Sequence, residues 1–81
     1  MAERITIEQW GDRPAWQVRV GGTLAGVVWR QGGSFRAVQE GSSTPTKSSF
    51  SSREAAARAV ARMAGFHDFE SAVAEVRPKG H

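Results

Sequence analysis

Arg19, Arg30 and Arg36 recur along strand-like runs, and their chemistry is the first that the chain offers. A guanidinium presents a planar five-donor fork that fits phosphate, carboxylate or a guanine edge. Gln17, two residues before Arg19, adds an amide able to read a base edge. Lys47 stands in a polar loop and would add a further cation. Trp10 stands beside a turn, as a lid on the core or as an exposed contact of the kind enriched at interfaces. These six residues form the candidate binding set, and their chemistry is recognition.

The constellations that make and break bonds are missing. His67 and His81 are the only histidines and there is no cysteine, so the three or four convergent ligands of a metal site are not at hand. Serines cluster at Ser42-Ser43, Ser48-Ser49 and Ser51-Ser52, none in a nucleophile elbow. The pair Gly21-Gly22 joins strand to strand, whereas a phosphate-binding loop joins strand to helix. Glu8, Asp12, Glu40, Asp68 and Glu70 show no paired-carboxylate spacing. The expectation is a protein that is not an enzyme and needs no cofactor or metal.

The 81 residues allow one small domain, expected over 1–76 with a flexible tail at 77–81. The chain is 40% hydrophobic and 23% charged, an ordinary globular composition. The formal charge is +3, carried almost wholly by arginine, since only Lys47 and Lys79 are lysines. Arginine excess also follows from a GC-rich codon composition, and +3 is below the charge of a strongly basic DNA binder. No apolar run approaches a membrane span, and the first residues lack a signal-peptide layout. A cytoplasmic protein with no membrane partner is expected.

The elements that must position the arginines are strands. Arg4–Glu8 alternates polar and apolar residues, with Ile5 and Ile7 inward. Trp16–Val20 and Thr23–Arg30 flank Gly21-Gly22, a two-residue hairpin turn. Simple pairing across that turn sets Trp16 opposite Val27. It places Trp16, Val18, Val20, Ala25, Val27 and Trp29 on one face, and Gln17, Arg19, Leu24, Gly26, Val28 and Arg30 on the other. A three-residue loop Gln31-Gly32-Gly33 then brings Ser34–Gln39 back, with Phe35 on the apolar face and Arg36 beside Arg19 and Arg30. Residues 40–49 read as a mobile polar loop.

A helix follows over Ser52–Ala64, alanine-rich and stopped at Gly65, with a capping box from Ser51 to Glu54. Ala56, Val60 and Met63 make its apolar stripe. Phe69, Val73 and Val76 suggest a second short helix, Phe69–Val76, capped by Asp68. The predicted fold is α+β: an antiparallel meander of three to four strands packed on one helix, with a short C-terminal helix.

Trp16-Gln17-Val18-Arg19-Val20 on a strand, followed by Phe50-Ser51-Ser52-Arg53-Glu54-Ala55-Ala56 entering a helix, resembles the three-stranded-sheet-plus-helix DNA-binding domains of the AP2 type and of phage integrase arm-binding domains. That resemblance implies a sheet lying in the DNA major groove, with Arg19, Arg30 and Arg36 as contacts. A second reading is a phage or mobile-element inhibitor, of anti-CRISPR or anti-defence type, that binds and blocks a host protein complex through Trp10, the 40–49 loop or a sheet edge. A sheet edge would also permit a homodimer.

Overall fold

The computed structural model describes residues 2–46 and 49–76. Strands β1 (Glu3–Gln9), β2 (Ala15–Val20), β3 (Thr23–Gln31) and β4 (Ser34–Gln39) precede one helix, α1 (Arg53–Met63), and a last strand, β5 (Phe69–Val76). They form an α+β domain with a single mixed sheet of order β4-β3-β2-β1-β5. The first four strands are an antiparallel meander, and β5 pairs parallel to β1.

The expected second helix is therefore a strand. Its Phe69, Val73 and Val76 suit a helical stripe, but β1 decides the matter. Ile5 and Ile7 are fully buried, and a buried strand needs backbone partners on both sides. Antiparallel β2 fills one side, and β5 fills the other, with Ile5 opposite Val73 and Ile7 opposite Glu75.

Two turns set the register. Gly21 and Gly22 both have positive φ, 58° and 87°, as the tightest hairpin turn requires. The second turn is a two-residue one at Gly32-Gly33, which pairs Gln31 with Ser34 and Arg30 with Phe35. A three-residue loop was the expectation. What replaces it lies upstream, in a bulge on β3. Val18 pairs with Gly26 but Arg19 pairs with Leu24, so Ala25 is an extra residue. The Ala25 carbonyl accepts from Glu40 N at 2.9 Å. The bulge and the shorter turn each shift register by one residue, and the shifts cancel at Phe35. Phe35 stays on the core side as expected, while everything on β3 between them changes face.

Trp16 accordingly pairs with Val28, and Val28 with Ala37. Val28 is fully buried, whereas Val27 and Trp29 lie on the opposite face. The covered face buries Ile5, Ile7, Trp16, Val18, Val20, Val28 and Ala37 against Ala56, Ala57, Val60 and Ala61 of α1. Four small or β-branched contacts let the helix lie close to the sheet. At Gly26 there is no room for a side chain: an added Cβ would come within 2.3 Å of the Val38 carbonyl of β4 and 2.6 Å of Val60 Cγ2 of α1. Met63, expected in the stripe, is 42% exposed because the buried stripe runs through Ala57 and Ala61 instead.

The helix ends are defined by hydrogen bonds. The N-cap is Ser52, one residue later than the expected Ser51, and its Oγ accepts from Ala55 N at 3.1 Å. At the other end Gly65 has φ 97°, its N–H donates to the Arg62 carbonyl, and Phe66 N donates to the Ala61 carbonyl. That pair of bonds is a Schellman stop, and Phe66 packs on the core as its apolar partner.

Candidate functional site

With α1 on one face, the other face of the sheet is left without a covering element among the described residues. Its composition follows from the register, because directly paired residues share a face. One row across the strands holds Ala15, Trp29 and Arg36; the next holds Glu8, Gln17, Val27 and Val38; the third holds Thr6, Arg19 and Leu24.

The candidate residues divide on this geometry. Gln17, Arg19 and Arg36 share the open face. Arg30 does not: it pairs with Phe35, which packs on the core, so it stands on the helix side at the exposed end of β3. The bulge at Ala25 is the physical reason. Lys47 lies outside the described residues. Trp10 is 47% exposed and stands at the rim of the open face.

The residue that the sequence pattern assigned to the core is Trp29. It is half-buried on the open face, and its indole N–H donates to Gln31 Oε1 at 3.4 Å. One signal in the sequence pointed to it. An isolated glycine inside a strand, here Gly26, marks a bulge or a close backbone approach, and this one marks both.

Trp29, Ala15, Val27 and Val38 floor a groove of 450 Å³, which Trp10 and Arg13 bound at one side and the turn Gln39–Ser42 at the other. The Arg13 guanidinium stacks on the Trp10 ring, 5.5 Å from its centroid. Glu40 is the one carboxylate in the lining. The groove is thus apolar at its floor and charged only at its rims.

The cations of the open face are differently committed. Arg19 makes one long contact, from Nη1 to the Gly22 carbonyl at 3.4 Å. Arg36 donates from Nη2 to the Thr46 carbonyl, and its Nε is buried without a partner. This contact fastens the chain after β4 along that strand, where Thr46 N also donates to the Ala37 carbonyl at 2.8 Å. Among the described residues, none of Arg13, Arg19 and Arg36 forms an ion pair with a carboxylate. Arg4, on the same face as Thr6 by alternation along β1, lies 3.9 Å from Glu70, and three arginines of the helix side are also held. Arg53 pairs with Glu75 at 3.1 Å, Arg58 donates to the Ser71 carbonyl at 2.9 Å, and Arg62 stacks on Phe69.

Among the described residues there is no group of three or more His, Asp or Glu side chains placed to hold a metal ion, and no helix is long and apolar enough to cross a membrane. Compared with protein-family models, with curated proteins and with solved structures, the chain matches none.

Proposed function

We propose that this protein is a non-enzymatic binding module that engages nucleic acid with the open face of its sheet. The observation that carries the reading is the gathering of Gln17, Arg19, Arg36 and Trp29 on one face, where neither Arg19 nor Arg36 has a carboxylate partner among the described residues. Unneutralised guanidinium groups beside an aromatic platform suit an anionic chain of flat bases. The AP2-like and integrase-like resemblance of β2 and of the entry to α1 implies a duplex partner, and two of its three expected contacts, Arg19 and Arg36, lie on this face.

The test is a titration of labelled oligonucleotides at low and moderate salt. Binding is expected to weaken steeply as salt rises, because phosphate contacts release counterions. Arg19→Ala is expected to weaken it and to lower the salt slope by about one. Arg30→Ala, on the other face, is expected to change binding far less. Absence of binding at low salt would sink the reading.

The apolar floor of Ala15, Val27 and Val38 favours a second reading, a module that captures an apolar side chain of a protein partner and so blocks it. Failure to bind any oligonucleotide, with capture of one defined protein that Val27→Asp abolishes, would favour it over the first.

A further inference from the structure

We propose that the groove lined by Trp10 and Trp29 receives an unpaired nucleobase, so that the nucleic acid engaged by the open face is a single strand. This inference rests on the nucleic-acid reading above and adds the site and the strandedness.

The lining of the groove carries it. A volume of 450 Å³ falls in the range of small-molecule pockets and leaves room for a base together with its sugar. In a duplex both faces of a base are already stacked and only its edges are presented. An unpaired base has a free face, and stacking on an aromatic side chain is how single strands are held without sequence demand. Two tryptophans line this groove, Trp10 at its side and Trp29 in its floor. The floor of Ala15, Val27 and Val38 is apolar, which suits the face of a base and does not suit a phosphate.

The charges set the path of the backbone. Arg13 stands at the rim over Trp10, ready to meet the phosphate next to a stacked base. Glu40, on the opposite wall, repels phosphate from that side and offers an acceptor to a base N–H such as thymine N3–H. Strand β2 then carries Ala15, Gln17 and Arg19 on one face. From the groove to Arg19 is about 13 Å at the rise of a strand, so a single strand leaving the groove over Gln17 reaches a second cation.

The experiment is fluorescence anisotropy with a labelled thymidine ten-mer and with a hairpin duplex of matched length, at one salt concentration. The expected result is tighter binding of the single strand, with Trp29→Ala weakening it about ten-fold or more and Trp29→Phe retaining most of it. Trp10→Ala is expected to weaken the single strand in the same direction, which keeps the test decisive if Trp29→Ala folds poorly. Equal or tighter binding of the duplex, unmoved by Trp10→Ala, would overturn the groove assignment and leave the open-face reading standing. No binding of either oligonucleotide at low salt would overturn both.

Discussion

Each side of the sheet carries a tryptophan with an arginine stacked on it. On the helix side the Arg53 guanidinium lies 5.0 Å from the Trp16 ring, Trp16 is 8% exposed, and Arg53 is tied to Glu75. At the rim of the other face Arg13 lies 5.5 Å from the ring of Trp10, which is 47% exposed, and no carboxylate pairs with that arginine among the described residues. The same two residue types serve packing in one place and stay available in the other. What separates them is the helix, which buries the ring, and Glu75, which fixes the cation. Residue type alone does not distinguish a structural arginine from one free to meet a partner; burial and ionic partners do.

The sharpest way to break this contrast is to truncate one tryptophan on each face. Trp16→Ala is expected to cost about 3–5 kcal/mol, enough to unfold much of a domain this small. Trp29→Ala is expected to cost far less in stability, because its ring is half-exposed, with its main loss in binding. Chemical denaturation of both variants gives the comparison. Equal losses would mean that the two faces do not differ as described.

Gly26 tests how closely the covered face is packed. Gly26→Ala places a Cβ against Val38 and Val60, and overpacking of that kind is expected to cost about 1–3 kcal/mol. The midpoint of urea unfolding reports it, and an unchanged midpoint would contradict the close packing of β4 and α1 around Gly26. Smaller again is the helix start: Ser52→Ala is expected to cost about 1 kcal/mol, whereas Ser51→Ala should be near neutral. The smallest effect belongs to the ion pair of the covered face. Glu75→Gln releases Arg53 and is expected to change stability by less than about 1 kcal/mol, since both groups are partly exposed.

The meander and the helix were legible because their signals are local. Alternation over Arg4–Glu8 and Trp16–Val20, the pair Gly21-Gly22 and the stop at Gly65 each act within a few residues. The face of every β3 residue was not legible in the same way, because it hangs on one extra residue at Ala25. A bulge reverses the face of all that follows until a second shift restores it, and here the turn at Gly32-Gly33 does so. Val27, Val28, Trp29 and Arg30 therefore exchanged faces, while Phe35 and Arg36 did not. The strand β5 was hidden for another reason. Its spacing suits a helix, and only the unpaired side of β1, distant in sequence, selects the strand. Of the candidate residues, Gln17, Arg19 and Arg36 share the open face with Trp10 at its rim, Arg30 stands on the helix side, and Lys47 lies outside the described residues.

The three indole N–H groups give the most direct test that partner binding belongs to the open face. Each gives its own signal to follow in a nitrogen–proton correlation experiment on the labelled protein, assigned by single Trp→Phe variants; Trp10 and Trp29 lie on the open side while Trp16 lies under the helix. Titration with the thymidine ten-mer is predicted to move the Trp10 and Trp29 signals together and to leave Trp16 in place. A titration that moves Trp16 while leaving Trp10 and Trp29 still, or that moves none of the three, would contradict it.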